Sequence, residues 1–316
     1  MKQEKLLAGT TILDFSHRLP GPMAGKIMAD LGATVIKIED HIFQDAFLQG
    51  LFADMDNSFP AWYAELNKNK KIMRFNLKDP QDHKKILTMA HAADGIIMGL
   101  PDKVKNAIGL TEKDILGWHQ PVAMIEMAAS KNQVKAMHDL NALAMSGLLS
   151  LYTGEKNEKI LNPPFLPVAG IAFGVKVATD LMAAMLKVSK TNKSVYTQAY
   201  LYEATDELFH PFWPTKMREI GEKSFLHNGR YPCYNLYQTK DKKYIALAAV
   251  EEKFWIRFCE VFTLNLGPDD RFHFSDRSVF QKISACIQSY TQSEIADKIK
   301  DEDFCLSIVA EAGPPL

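Results

Sequence analysis

Residues 11–39, TILDFSHRLPGPMAGKIMADLGATVIKIE, decide the fold class of this chain. Residues 11–16 form a short, mostly apolar run that is typical of a buried strand. Residues 23–31 have a helical pattern that ends at Gly32, and residues 34–39 predict a second strand. The stretch therefore predicts a βαβ unit.

Helical and strand patterns continue to alternate downstream. Residues 80–92 and 112–118 predict helices, and residues 95–98 and 122–127 predict strands. Strands that take turns with helices form parallel sheets whose two faces are covered by the helices. We therefore expect an α/β fold.

The pattern changes in the second half of the chain. Residues 141–151 and 171–188 are helical in pattern, with a loop at Asn162-Pro163-Pro164 between them. Residues 234–239 and 244–250 predict a hairpin, which helices near 252–262, 279–290 and 293–300 follow. We predict a large parallel-sheet domain over residues 1–205 and a smaller α+β domain over residues 206–316.

Composition excludes several classes of function. The 316 residues carry 37 Lys and Arg against 38 Asp and Glu, and a net charge of -1 provides no general attraction for nucleic acid or anionic membranes. The four cysteines show no CxxC pair or zinc-ligand spacing, so no metal site is predicted, and free thiols suit a reducing cytosol.

No signal peptide is evident, and Lys176 and Asp180 interrupt the most apolar helix. We predict a cytoplasmic protein without a membrane span.

Two features could bind an anion. Pro20-Gly21-Pro22 forms a tight turn that leads into a helix N-terminus, where free backbone N–H groups attract negative charge; the alternative is a plain βα turn. Lys68, Lys70 and Lys71 form a compact basic cluster whose ammonium groups could bind phosphates, and the alternative there is a solvated run of charge.

Three further side chains could transfer protons. His138 precedes a helix and could carry a proton near neutral pH, or it could be a surface or capping residue. Asp139 is the second candidate, although it could simply cap the helix. Glu251 lies between a strand and a helix, where a carboxylate also complements the helix dipole.

Four stretches together resemble the family III coenzyme A transferases, which include formyl-CoA transferase, carnitine CoA-transferase and α-methylacyl-CoA racemase. Residues 12–39 resemble the opening of the family, and residues 66–77, LNKNKKIMRFNL, its basic coenzyme A segment. Residues 138–154, HDLNALAMSGLLSLYTG, and 231–255, YPCYNLYQTKDKKYIALAAVEEKFW, are similar to the racemase branch. The resemblance covers nearly the whole chain.

The resemblance implies a Rossmann-like large domain, an interlocked homodimer, and CoA or acyl-CoA as the ligand with no other cofactor required. It places His138 on the catalytic histidine of the racemase branch and Glu251 on the glutamate that supports it. We assign the CoA-binding role to a set of residues on the opening turn and in the basic segments: His17, Arg18, Gly21, Lys37, Lys68, Lys70 and Lys71.

The chain departs from the family where the family's mechanism needs a carboxylate. Transferases use an aspartate as the nucleophile on the thioester, and racemases use it as an acid or base. Ala169 or Gly170 stands at that position here, and neither can play either role. Residues 128–131 and 100–102 also replace family motifs, and a C-terminal segment that returns to the large domain is expected to be missing.

These observations leave several functions open. We expect an acyl-CoA-binding protein that lacks the catalytic aspartate of its family. The alternatives are an active racemase or isomerase that exchanges an α-proton through His138 and Glu251, and a non-catalytic scaffold or regulator. A nucleotide-binding protein that prefers NAD is the outcome if the resemblance is accidental.

Overall fold

A computed structural model of the chain describes residues 5–132, 136–151, 166–212 and 226–311. The chain divides into two compact units, Met1–Arg218 and Glu219–Leu316. The domain boundary predicted after residue 205 falls inside a helix of the first unit, Leu201–Phe209. The loop predicted at Asn162-Pro163-Pro164 and the chain end at residues 312–316 lie outside the described residues.

A six-stranded parallel sheet forms the centre of the first unit, with the strand order β3-β2-β1-β4-β5-β6. Its strands are β1 Thr11–Phe15, β2 Thr34–Asp40, β3 Lys71–Phe75, β4 Gly95–Met98, β5 Ala123–Ala128 and β6 Val195–Tyr200. The predicted α/β class is confirmed. The sequence pattern did not predict β6, a half-exposed strand at the edge of the sheet.

Helices cover both faces of this sheet. In the described part of the first unit they are α1 Pro20–Asp30, α2 Leu51–Met55, α3 Ser58–Asn67, α4 Pro80–His91, α5 Asp102–Ile108, α6 Glu112–Gly117, α7 Asp139–Met145, α8 Val168–Thr191 and α9 Leu201–Phe209, with 3-10 turns at Leu148–Leu151 and His210–Phe212. One apolar core joins the sheet to α1 and α8, and the other joins it to α4, α5 and α6. Helix α1 starts three residues earlier than predicted because proline fits the first helical turn.

Helix α8 is long and apolar enough to cross a membrane, with a mean hydropathy of 1.5 over its most apolar window. In this structure it packs against α1 and strands β4, β5 and β6. Lys176 and Asp180, which interrupt its apolar pattern, form an ion pair of 2.6 Å. Helix α8 is therefore part of the core of the first unit.

The second unit contains a three-stranded antiparallel sheet in the order β7-β8-β9. Its elements are β7 Tyr234–Gln238, β8 Tyr244–Ala248, β9 Leu306–Ile308, α10 Glu252–Val261, α11 Arg277–Ile287 and α12 Gln292–Lys298, with 3-10 turns at Leu226–Asn228 and Pro268–Phe272. Trp255, Phe258 and Ile283 are fully buried in its core. The predicted hairpin is confirmed, and β9 is an additional strand.

The strand order determines where a ligand can bind in the first unit. Strand β1 pairs with β2 on one side and with β4 on the other, so the loops that follow β1 and β4 diverge. In open α/β sheets this switch point leaves a crevice outside the carboxyl ends of the strands, where ligands bind. The segment that follows β1 is the turn that the sequence singled out.

Candidate functional site

Buried charges hold the turn between β1 and α1, residues 16–19, which we call the β1–α1 turn. The Arg18 backbone N–H donates to both carboxylate oxygens of Asp45, at 2.9 and 3.1 Å. Lys37 Nζ donates to the Ser16 carbonyl at 2.6 Å and lies 3.3 Å from Asp45 Oδ2. The Lys37 and Asp45 side chains are 0% exposed. The buried ion pair of Lys37 and Asp45 therefore holds the backbone of the turn in place.

Arg18 and His17 of the turn differ in how far their side chains are exposed to solvent. Arg18 is exposed, and its guanidinium lies 5.5 Å from the centre of the Phe52 ring. His17 is half-buried, and burial lowers its pKa, with the charge of Lys37 lowering it further while Asp45 opposes the shift. Arg18 therefore places an exposed positive charge on the β1–α1 turn, next to an imidazole whose protonated form is disfavoured by burial.

A second buried ion pair supports the start of α1. Lys70 Nζ lies 2.8 Å from Asp14 Oδ2 and donates to the Pro22 carbonyl at 2.8 Å, and both charged side chains are 0% exposed. Ser16 donates to the other Asp14 oxygen through its backbone N–H and its hydroxyl. Burial raises the pKa of Asp14, but the charges of Lys70 and Lys37 outweigh it and hold the value at about 2.

The basic residues predicted to bind CoA therefore divide into two groups. Lys37 and Lys70 are bonded to protein groups in the interior, so a phosphate could reach them only if those bonds were broken. Lys68 is 68% exposed and 3.8 Å from Glu65, and Lys71 is exposed at the start of β3. A phosphate-binding role for these two exposed lysines remains a prediction.

The first turn of α1 offers fewer N–H groups than a helix N-terminus usually does, because two of its first three residues are prolines. Helix α1 begins at Pro20, and proline has no N–H, so only Gly21 among its first three residues carries a backbone donor. Attraction of an anion here must therefore depend on Gly21, on the helix dipole and on Arg18.

Gly21 is required by close packing of the turn. A Cβ atom at this position would lie 2.1 Å from Ser16 Cβ and Oγ and 3.1 Å from Met127 Sδ. We expect Gly21→Ala to distort the turn and to lower the free energy of unfolding by about 1–3 kcal/mol. Urea denaturation measures this change. Gly117→Ala is the control, because a Cβ there meets no atom within 4 Å; equal stability of the two variants would contradict the prediction.

Asp139 connects α7 to the N-terminus of α8. Its carboxylate Oδ1 accepts the Gly170 backbone N–H at 2.7 Å, in the first turn of α8. Burial raises the pKa of Asp139, and N–H groups of Gly170 and Ala169 partly oppose the shift. His138 is exposed before α7, where its backbone N–H donates to Asn141 Oδ1 at 3.0 Å.

Three segments converge at Gly170. A Cβ atom on Gly170 would lie 2.8 Å from Leu19 Cδ2 of the β1–α1 turn and 3.6 Å from Asp139 Oδ1. Ala169, beside it, is fully buried. The structure therefore brings the β1–α1 turn, Asp139 and the start of α8 into contact. Sequence reasoning missed Leu19, which makes this contact, and Asp45, which holds the turn.

Glu251 lies in the second unit. It is exposed and precedes α10, where its carbonyl accepts the N–H groups of Phe254 and Trp255 at 3.0 Å each. His138 belongs to the first unit, so their pairing remains a prediction. Within the described ranges, no group of three or more His, Cys, Asp or Glu side chains could hold a metal ion.

The sheet order and the turn at its switch point define a Rossmann-like α/β fold. The family model described as CoA-transferase family III matches residues 7–313, so the chain belongs to this family. This confirms the resemblance seen in the sequence.

Relatives and solved structures agree with this assignment. A CaiB/baiF CoA-transferase family protein of Caenorhabditis elegans is 23% identical, over 97% of this chain and 86% of its own length. Human alpha-methylacyl-CoA racemase is 23% identical over 79% of this chain, which spans only 63% of the racemase. The crystal structure of a CAIB/BAIF family protein from Brucella suis has a TM-score of 0.78 at 15% identity, covering 98% of this chain and 85% of that one, and shows the shared fold.

Proposed function

We propose that this protein binds CoA or an acyl-CoA thioester in the crevice beside the β1–α1 turn. The observation that carries the proposal is the exposed Arg18, whose backbone is fixed by the buried Asp45 at the point where the strand order reverses. An exposed guanidinium on a fixed backbone, beside a helix N-terminus, suits the pyrophosphate of CoA. Membership of a CoA-binding family supports the same ligand.

Titration calorimetry with CoA and with an acyl-CoA tests this function. We expect Lys68→Ala combined with Lys71→Ala to weaken CoA binding about tenfold at low salt, because two exposed cations that face phosphates contribute about 1.4 kcal/mol together. The effect should shrink as salt screens the charges.

The matched control removes two exposed lysines from the far end of α8, by Lys187→Ala combined with Lys190→Ala. We expect this double variant to bind CoA as the unmodified protein does. Absence of any binding by the unmodified protein would contradict the proposed function, and equal affinity of both double variants would contradict the role of Lys68 and Lys71.

The proposal does not include covalent acyl transfer. Ala169 and Gly170 carry no carboxylate to attack a thioester, so no anhydride can form at those positions. There are two alternatives. One is exchange of an α-proton through His138 and Glu251, and the other is a purely regulatory role.

We also propose that the protein is a cytoplasmic homodimer. Support comes from exposed apolar side chains on α7, on α9 and next to them, elements that pack together in the first unit. These side chains are Leu140, Met145, Leu166, Leu208 and Phe212. Exposed apolar side chains on neighbouring elements are typical of interfaces between protein chains.

A further inference from the structure

We propose that a pocket beside the edge strand of the six-stranded sheet binds a small organic cation that carries N–H donors, of the guanidinium or primary ammonium type. The pocket lies between β6, α8 and α9, and it shares no residue with the β1–α1 turn. The inference therefore goes beyond the proposed function and does not depend on it.

The size of the pocket limits what it can hold. It contains about 260 Å³ of space, part of which is open to solvent. Pockets for drug-sized ligands measure roughly 300–1,000 Å³. The pocket therefore suits a small ion, or the charged end of a longer molecule whose remainder stays in solvent.

The charged side chains of α8 and α9 give the pocket its sign. Asp180, Glu203 and Glu207 line it together with one lysine, Lys176. The Lys176 Nζ donates to Asp180 Oδ2 at 2.6 Å and lies 3.8 Å from Glu207 Oε2. Three carboxylates against one ammonium give the lining a formal charge of -2. The pocket therefore attracts cations and repels anions.

Glu203 indicates that the cation should carry hydrogen-bond donors. Its Oε1 accepts the Ser130 hydroxyl at 3.0 Å and the Lys131 backbone N–H at 2.9 Å, so the carboxylate is held in place. Its Oε2 is buried, and within the part of the chain that the structure describes no group donates to it. A buried carboxylate oxygen without a donor is unfavourable. An N–H donor of a bound cation would remove this cost.

The backbone of β6 adds a neutral acceptor beside the carboxylates. The Val195 N–H donates to the Val122 carbonyl, on the side of the neighbouring strand β5. Backbone groups of successive residues in a strand point to opposite sides, so the Gln198 carbonyl, three residues further, points away from β5. Gln198 also lines the pocket. Carboxylates and a carbonyl together match a guanidinium, which has several N–H donors and no acceptor.

An NMR titration with ethylguanidinium tests the proposal. Ethylurea is the matched ligand, because it has nearly the same shape and similar donors but no charge. We expect saturable binding of ethylguanidinium and at least about tenfold weaker binding of ethylurea, since hydrogen bonds between charged partners are roughly twice as strong as neutral ones. Tetramethylammonium, which has the charge without N–H donors, should also bind more weakly than ethylguanidinium.

Glu203→Gln removes the charge and keeps an oxygen that can accept the Ser130 and Lys131 donors. We expect the melting temperature to be retained and the affinity for ethylguanidinium to fall about tenfold. Asp206→Asn is the control, because Asp206 belongs to the same helix, α9, but does not line the pocket. This control should bind ethylguanidinium with the affinity of the unmodified protein.

Lys176→Met should have the opposite effect. It removes the internal ammonium group that competes for Asp180 and Glu207, while the methionine keeps most of the apolar stem. We expect ethylguanidinium to bind about threefold or more tightly, because two carboxylates become available and a like charge is lost. A side chain with a merely structural role would not raise the affinity when it is replaced.

The results that would overturn the inference are specific. They are the absence of saturable binding, binding of ethylurea or tetramethylammonium as tight as that of ethylguanidinium, and equal affinity of Glu203→Gln and the unmodified protein. An equal loss in Asp206→Asn would also overturn it, because it would show general attraction to α9 and not a site in the pocket. CoA binding is measured separately, so none of these results decides the proposed function.

Discussion

Lys70→Ala is expected to lower the free energy of unfolding by about 3–5 kcal/mol, because it leaves the buried carboxylate of Asp14 without its ammonium partner. The two groups are 2.8 Å apart, with both side chains 0% exposed, and the Pro22 carbonyl loses its donor too. Urea denaturation at neutral pH measures the loss. Lys71→Ala is the control, because this neighbouring lysine is exposed and should change stability by less than about 0.5 kcal/mol.

The loss of unfolding free energy in Lys70→Ala should depend on pH in a defined direction. In the unmodified protein the pKa of Asp14 is about 2, below its ordinary value, so the pair stabilises the fold above the unfolded pKa and this contribution is lost as the pH falls toward 2. Without Lys70, burial favours the protonated carboxyl. The difference between the proteins should therefore be largest at neutral pH and shrink on acidification. A deficit below 1 kcal/mol at neutral pH would contradict the prediction.

Asp45→Ala should have an effect of similar size, about 3–5 kcal/mol, since it leaves Lys37 buried without its nearest carboxylate. It also releases the β1–α1 turn, because Asp45 accepts the Arg18 N–H through both oxygens and the Phe47 N–H at 3.0 Å. We therefore expect CoA affinity to fall as well. Denaturation and titration calorimetry of the same variant measure the two effects.

The control for this variant is Asp54→Ala, which removes an exposed carboxylate from α2 and should leave stability and CoA affinity unchanged. If Asp45→Ala loses stability but binds CoA normally where it remains folded, the turn does not contribute to the ligand site. If it loses neither, the buried pair is not important for the fold.

The fold could be predicted from periodicity to a large extent. The βαβ opening and the alternation through β5 follow from apolar runs between helical patterns, because strands buried on both faces need continuous apolar sequence. Strand β6 was missed because it lies at the edge of the sheet and most of its residues are only partly buried, so its sequence has no continuous apolar run. The start of α1 was missed because its first residues are prolines and a glycine.

The candidate site was predicted less completely, and the reason is burial. Lys37 and Lys70 were predicted to bind CoA from their sequence context, which does not reveal that tertiary structure encloses their side chains. A usable signal was Asp14, a charged residue inside an apolar strand, since a buried charge needs a partner. The contact of Asp139 with Gly170 joins residues 31 positions apart, which no local pattern predicts.

The ion pair beneath the β1–α1 turn has a thermodynamic consequence for recognition. The backbone at Arg18 has a positive φ of 66° and is held there by protein groups rather than by a ligand. This segment therefore loses its conformational entropy when the chain folds, and not when a ligand binds. Such preorganisation favours affinity for a ligand that fits the existing shape and penalises one that requires the segment to rearrange.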